Sequence, residues 1–304
     1  MDIIGIGALN IDYIKAMPWR SSPSQWLRTL RQDFEPGREE WVNNDDIVQY
    51  LARIGTTEFD YIGPGGSAFN TIRCIAQMNL GFKLGYIGIA GVPSDECDLR
   101  VHLAKNAIDS TYIFDSSNPP GKCISLYWPR ERSRGLRTSP GVDKELEAKL
   151  ADPQLQEAVA RYIAAARWVH LTSFVSQGCL AHFTQILKQA TRENPSLIIS
   201  FDPGSEYCRN PTQHVKDAIC LSDYLLLNWN EFHQLGNYQK GGKVKRGRTA
   251  EKEIAADIFA TFECRGATII VKSSNSIRFF QLFKDTVLFR RFWQVTPPCS
   301  FHSR

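Results

Sequence analysis

Between residues 154 and 272, the chain alternates helical and extended segments with a regular rhythm. Stretches with helical spacing of apolar residues are each followed by a short apolar run. The predicted helices are 154–166, 177–192, 211–220 and 250–264, and the predicted strands are 167–172, 197–202, 223–228 and 267–272. Short connections between such elements require right-handed crossovers, so this stretch predicts a parallel sheet with helices packed on it.

The flanking residues extend this pattern. We predict strands at 2–9, 58–62 and 83–89, and helices at 45–54, 67–80 and 97–107. Asn44 or Asp45 is the expected cap of the helix at 45–54, and Gly55 its stop. Two antiparallel hairpins are also predicted, one from 110–115 and 122–128 around Asn118–Gly121, and one from 277–283 and 286–294.

Composition excludes several classes of protein. The chain has 304 residues, of which 43% are hydrophobic and 22% charged, close to the globular average and unlike disordered or fibrous chains. A net charge of +4 is too small to indicate a nucleic-acid partner. The segment 240–252 holds six basic residues, which we interpret as a solvated loop.

Cysteine usage and targeting signals indicate a compartment. The eight cysteines are scattered and form no Cys-x-x-Cys pair, which is typical of reduced thiols in a cytosolic protein. The N-terminus lacks the basic residues of a secretory signal, and no run of 18 apolar residues occurs. We therefore expect a cytoplasmic protein with no membrane association.

Three groups of residues are candidates for ligand binding, because ligands of parallel sheets bind beyond the carboxyl ends of the strands. Asn10 and Asp12 follow the first predicted strand and could grip vicinal hydroxyl groups. A capped turn is the alternative interpretation. The segment Gly5–Asn10 only approximates a dinucleotide fingerprint, because its third glycine is Asn10 and no helix clearly follows.

Gly65 and Gly66 precede a predicted helix that carries Asn70 on its first turn. Glycines there would let backbone N–H groups approach a ligand closely. The alternative is a plain turn followed by a polar residue inside a helix.

Asn228 and Glu231 follow a later strand. Glu231 could hold a water on a magnesium ion beside phosphate oxygens. The same spacing is also that of a capping box, in which the two residues only start a helix.

In their order and spacing, these segments resemble the motifs of the PfkB carbohydrate kinases, also called ribokinase-like kinases. The matching segments are Gly7–Asp12, Gly65-Gly66 with Asn70, Gly85–Gly88 with Asp95, Asn228 with Glu231, and the strand that ends at Lys272. The resemblance covers most of residues 1–295.

The resemblance implies a three-layer αβα fold with a mostly parallel central sheet and a small β lid from segments near 11–18, 57–64 and 110–128. It implies a single domain over 1–304 that transfers a phosphoryl group from ATP, with Mg²⁺, to a hydroxyl of a sugar or nucleoside. The residues implied for the substrate are Asn10, Asp12, Gly65, Gly66 and Asn70, and those for nucleotide and phosphate are Asn228, Glu231, Lys272 and Ser274, with Glu231 serving Mg²⁺ through water. Trp19, Trp26 and Trp41 could extend the lid, stack on a substrate ring or form a homodimer contact.

The sequence also departs from the family. The family run Asp-Thr-x-Gly-Ala-Gly-Asp, whose last Asp is the catalytic base, is not found, and residues 294–304 stand where it should begin. Ser273-Ser274-Asn275 replaces a loop that usually contains Gly. We therefore expect a kinase domain that is incomplete at its C-terminal end, with no assigned base and very slow transfer. A divergent enzyme that uses another residue and a non-catalytic sugar- or nucleoside-binding protein are the alternatives.

Overall fold

The computed structural model describes residues 1–17, 33–94, 97–131, 133–174, 176–238, 248–264, 266–273, 276–284 and 286–293. The chain forms two compact units, Met1–Ile199 and Ser200–Arg304. The predictions made for Trp19, Trp26, Asp95, Ser274 and residues 294–304 lie outside the described residues.

The first unit contains nine strands and six helices among its described residues. In chain order they are β1 (Ile3–Ile6), β2 (Asn10–Ala16), β3 (Glu39–Trp41), α1 (Asn44–Ile54), β4 (Tyr61–Gly65), α2 (Ser67–Gln77), β5 (Leu84–Ala90), α3 (Leu99–Lys105), β6 (Ile108–Asp115), β7 (Gly121–Trp128), β8 (Ser133–Thr138), α4 (Asp143–Leu150), α5 (Pro153–Ala164), β9 (Trp168–Thr172) and α6 (Gln177–Glu193).

The first sheet of this unit is parallel, with the order β9-β1-β5-β6. Glycines let helices approach both of its faces. A Cβ on Gly5 would overlap Ile72 of α2, whereas a Cβ on Gly85 would overlap the hydroxyl of Tyr162 of α5. The helices therefore lie on opposite faces, and the mixed α/β class predicted from the sequence is confirmed.

The second sheet has five strands, in the order β3-β8-β7-β2-β4. One of its faces packs against α1, whose buried residues Ile47, Leu51 and Ile54 recur at helical spacing and form one apolar stripe. Ile11 and Tyr13 of β2 point into the same core. Burying each large side chain of such a core contributes roughly 1.5–3 kcal/mol, which fixes this face of the sheet on the helix.

The second unit is built in the same way. Its elements are β10 (Ile198–Asp202), which crosses the boundary, α7 (Gly204–Arg209), α8 (Gln213–Leu221), β11 (Tyr224–Asn228), α9 (Trp229–Gly236), α10 (Arg248–Thr261), β12 (Thr268–Lys272), β13 (Ser276–Phe283) and β14 (Thr286–Trp293). Strands β10, β11 and β12 are parallel, and β13 and β14 add an antiparallel hairpin, as predicted.

Several local predictions are wrong. The segment 110–115 does not form a hairpin with 122–128, because β6 pairs in parallel with β5 of the first sheet while β7 lies in the second. The strand predicted at 58–62 begins at Tyr61, after a 3₁₀ turn over Thr56–Glu58. Asn43, not Asn44 or Asp45, caps α1, since its side chain accepts the N–H of Asp46.

The single domain over 1–304 and its lid segments stay predictions. Segments 11–18 and 57–64 contribute β2 and β4 to the second sheet, and β7 contributes the latter part of 110–128. Among the described helices, none combines the length and the apolar character needed to cross a membrane.

Candidate functional site

The second sheet places Asn10 and Asp12 on one short stretch of β2. Asn10 pairs with Gly65 of β4 and with Gly121 of β7, and Asp12 pairs with Gly63 and Cys123. The two residues thus lie within a strand that begins at Asn10. The alternative of a capped turn at these positions is wrong.

Glycines create the space that these polar side chains occupy. A Cβ on Gly65 would overlap the carboxylate of Asp12, and a Cβ on Gly121 would overlap Oδ1 of Asn10. Gly66 has φ 103°, in the left-handed region, and a Cβ there would overlap the carbonyl oxygen of Ala8. The Gly65-Gly66 pair therefore admits Asp12 on one side and turns the chain into α2 on the other.

Asp12 is the electrostatic centre of this group. Burial raises the pKa of its carboxyl from 3.8 to about 6, although the charges of Arg134 and Arg73 and a hydrogen bond from Asn70 all favour the ionised form. Desolvation is the largest of these effects. Asp12 therefore changes charge close to physiological pH and is mostly ionised at pH 7.

Asn70 and Arg73 lie one turn apart on α2. Arg73 Nη2 donates to Oδ1 of Asn70 at 3.0 Å, and Arg73 Nη1 lies 3.5 Å from both the Tyr61 hydroxyl and the Pro64 carbonyl oxygen. The sequence analysis did not single out Arg73. Its spacing of three residues after Asn70 on the predicted helix was the available signal, because residues at i and i+3 share a face.

Other side chains share the sheet face of Asp12. Trp41, Thr138 and Cys123 stand in register with it across β3, β8 and β7, and the Tyr61 hydroxyl lies over Gly63 on its other side. Burial raises the pKa of the Cys123 thiol. This face therefore carries the Asp12 carboxylate with Tyr61 on the adjacent strand and Trp41 three strands away. Trp41 was already a candidate from sequence, whereas Thr138, Cys123 and Tyr61 were not recognisable before the strand register was known.

In the second unit, Asn228 and Glu231 form a complete capping box at the start of α9. Asn228 Oδ1 accepts the Glu231 N–H at 2.9 Å, and Glu231 Oε2 accepts the Asn228 N–H at 2.7 Å. Glu231 Oε1 also accepts the hydroxyl of Ser205 at 3.1 Å. Both carboxylate oxygens are thus engaged by donors of the protein, and the side chain is buried.

Lys272 pairs with Asn228 across β11 and β12, so both residues stand at the carboxyl edge of this sheet with exposed side chains. Ser273 follows directly and is held by Arg278, whose Nη1 donates to its hydroxyl at 3.0 Å. Arg278 also lies 4.4 Å over the ring of Trp229. The start of the loop after β12 is therefore tied to the start of α9.

The carboxylates at this edge bear on the magnesium ion that the family resemblance implies. The described residues contain no group of three or more His, Cys, Asp or Glu side chains that could hold a metal. Asp202 ends β10, and Glu231 lies on the first turn of α9 with both carboxylate oxygens already accepting hydrogen bonds from the protein. These carboxylates would therefore suit an ion that keeps its waters and arrives with phosphates.

Sequence comparison decides the family. The profile of the pfkB family carbohydrate kinases matches residues 55–291. The chain belongs to this family. No curated protein matches the sequence.

Solved structures support the same fold for this pfkB protein. Adenosine kinase from Anopheles gambiae, in complex with a di(adenosine-5) tetraphosphate, has a TM-score of 0.72 and 17% identity, covering 96% of this chain and 87% of its own. Adenosine kinase from Schistosoma mansoni, in complex with 2-fluoroadenosine, has a TM-score of 0.72 and 15% identity, with coverages of 95% and 80%. Ribokinase from Giardia lamblia has a TM-score of 0.66 and 15% identity, with coverages of 94% and 73%.

The predicted ribokinase-like fold of this pfkB protein is thereby confirmed. The structure brings together the five residues predicted for the substrate, namely Asn10, Asp12, Gly65, Gly66 and Asn70. It also brings together Asn228, Glu231 and Lys272. The roles of both groups stay predictions.

Proposed function

We propose that this pfkB protein is an ATP-dependent kinase that phosphorylates a hydroxyl of a sugar or nucleoside. The observation that carries the proposal is the group around Asp12, where a partly buried carboxylate, the Asn70 amide and two glycines converge on one face of a sheet. Carboxylates accept and amides donate, so this group matches a substrate that offers several hydroxyl groups.

The reaction joins the substrate to the terminal phosphate of ATP. The hydroxyl oxygen bonds to the γ-phosphorus, the bond to the β,γ-bridging oxygen breaks, ADP leaves, and the hydroxyl proton is released. Such transfers depend mostly on positioning and charge stabilisation. We propose that Asp12, Asn10 and Asn70 position the substrate, and that Asn228 and Lys272 contact phosphate oxygens. Glu231 caps α9, and its carboxylate would hold a water of the Mg²⁺ that accompanies ATP.

Between the two substrate types, we favour a nucleoside. Tyr61 belongs to β4, next to the strand of Asp12, and Trp41 belongs to β3, three strands away on the other side; both lie on the sheet face of Asp12. Aromatic rings stack on the flat π face of a heterocyclic base, and a free ribose has no such face. Adenosine should therefore raise the melting temperature of the protein more than D-ribose does, and Trp41→Ala should remove that difference.

Two measurements test the activity. The first is the melting temperature with adenosine or D-ribose, each with and without ATP and Mg²⁺. The second is ADP formation in the same mixtures. A kinase should show ligand-dependent ADP formation that Asp12→Asn abolishes. Stabilisation by adenosine or ribose without any ADP would instead identify a non-catalytic binding protein, and the absence of both effects would refute the proposal.

Glu231 has its own test, because its capping role and its proposed phosphate-site role make different predictions. Glu231→Gln keeps an oxygen that can accept the Asn228 N–H, so the melting temperature should change little. Loss of the negative charge should still reduce the Mg²⁺-dependent stabilisation by ATP. An unchanged ATP response would restrict Glu231 to capping.

A further inference from the structure

Arg73 of α2 contacts several groups close to Asp12. Its guanidinium donates to Asn70 Oδ1 at 3.0 Å, reaches the Tyr61 hydroxyl and the Pro64 carbonyl at 3.5 Å, and lies 5.7 Å over the ring of Phe69. These contacts join α2 to β4. The guanidinium is therefore held by several groups and not by Asn70 alone.

This contact fixes which way the Asn70 amide faces. A guanidinium is only a donor, so the end of the amide that meets Arg73 is the carbonyl oxygen. The opposite end is the NH₂ group, and the interaction of this amide with the Asp12 carboxyl favours the ionised form and so lowers its pKa. A rotated amide would instead turn its oxygen towards the carboxylate, which is unfavourable in a partly buried site.

We propose that Arg73 is a positioning residue that acts through Asn70 on Asp12. By holding the carbonyl end of the amide, it keeps Asn70 a donor and Asp12 an acceptor, so a bound hydroxyl meets one partner of each kind. The predicted effect of Arg73 on substrate binding rests on the proposed function. Its predicted effect on the Asn70 amide and on the pKa of Asp12 does not.

The surroundings of Asp12 allow the effect to be isolated. The charged and titratable groups that face it are Arg134 of β8, Arg73 of α2, Cys123 of β7 and Tyr61 of β4. Removing Arg73 raises the pKa of Asp12 in two ways, through the lost charge and through the released amide. Only the effect of the released amide requires Asn70.

A double-mutant cycle on the unliganded protein separates them. The pKa of the Asp12 carboxyl is measured by carbon NMR in the wild type, Arg73→Met, Asn70→Ala and the double variant. We expect Arg73→Met to raise this pKa above about 6 and to raise it much less when Asn70 is absent. An equal rise in both backgrounds, or no rise, would overturn the proposal. Arg73→Lys, which keeps the charge and one donor, is the second variant and should give an intermediate value.

The substrate half is tested by calorimetric titration with adenosine and with D-ribose. Arg73→Met should weaken binding roughly tenfold or more, the usual cost of losing a hydrogen bond that involves a charged group. Arg161→Met, which changes an exposed arginine of α5, should bind like the wild type. Equal affinity in Arg73→Met and wild type would refute this half. If the wild type binds neither compound, the proposed function fails, while the NMR cycle still decides the role of Arg73.

Discussion

At the scale of single residues, Asp12 is a buried carboxyl whose ionisation changes close to physiological pH. The pKa of its carboxyl is raised from 3.8 to about 6, so the folded protein binds this proton more tightly than the unfolded chain does. The resulting stability is fully present below pH 4 and is lost as the pH rises through 6. A site that holds a carboxylate ready for hydroxyl groups thus costs the fold free energy at neutral pH.

Asp12→Asn should remove this cost. The free energy of unfolding of the variant, relative to the wild type, should increase as the pH rises from 4 to 8. The increase should be at most about 3 kcal/mol, because the pKa of Asp12 is raised by roughly two units and each unit corresponds to about 1.4 kcal/mol. Urea unfolding at the two pH values measures the difference. A gain that is equal at both pH values would show that the carboxyl does not titrate in this range.

Gly65→Ala should disrupt the same group sterically, because its Cβ would overlap the Asp12 carboxylate. We expect roughly 1–3 kcal/mol of destabilisation from overpacking and loss of any stabilisation by adenosine or ribose. Gly266→Ala is the matched control, since a Cβ there meets open space. Its melting temperature and ligand response should stay those of the wild type. A normal ligand response in Gly65→Ala would contradict the described packing.

At the scale of elements, Arg278 of β13 joins α9, α10 and the loop after β12. Its Nε lies 3.3 Å from Glu251 Oε2, both side chains are almost buried, and its guanidinium covers Trp229. Burial lowers the pKa of Arg278, although the charge of Glu251 favours its ionised form. This pair therefore fixes how the hairpin packs on the helices.

Arg278→Met should destabilise the protein by about 3–5 kcal/mol, because it leaves the Glu251 carboxylate largely buried without its counter-charge. Adding Glu251→Gln should restore much of the loss. Arg161→Met removes an exposed pair with Glu157 and should cost no more than about 0.5 kcal/mol. The comparison uses chemical unfolding of the four proteins. A small effect of Arg278→Met, or no recovery in the double variant, would exclude the ion pair as a main cause.

At the scale of the molecule, two buried groups of the first unit respond to acid in opposite ways. Burial lowers the pKa of His170, in β9, from 6.5 to about 4, so its contribution to stability is lost as the pH falls from 6.5 to 4. The contribution of Asp12 grows over nearly the same interval. We expect the two slopes to offset each other in the wild type.

Single variants should reveal these slopes. Asp12→Asn should lose stability more steeply than the wild type between pH 6.5 and 4, whereas His170→Gln should lose it less steeply or gain. The double variant should return close to the wild-type slope. Parallel curves for all four proteins would show that neither group titrates as described.

Much of the molecule was predictable because local patterns determine it. The βαβ rhythm located the strands of the parallel sheets to within a residue or two in residues 167–272. The order of motifs also predicted that Asn10, Asp12 and Asn70 belong to one site, and the structure brings them together, while their roles stay predictions. The second sheet was less accessible. Its order depends on pairings between distant segments, such as β3 with β8, and the hairpin prediction at 110–128 failed because alternation does not reveal the partner of a strand. The strand register places Trp41, a candidate from sequence, on the sheet face of Asp12, and the contacts between α2 and β4 bring in Arg73, which the sequence analysis had not singled out.

The close approach of the Asp12 carboxylate to Gly65 has a consequence for mutational tolerance. Every other amino acid places a Cβ at Gly65 and at Gly121, where the Asp12 carboxylate and the Asn10 amide already lie. Neither position therefore has a conservative replacement. In a saturation library selected for ligand binding, these two codons should be as restricted as that of Asp12 itself. Substitutions at these two glycines should therefore disrupt the candidate binding site, although glycine itself contributes no functional group to it.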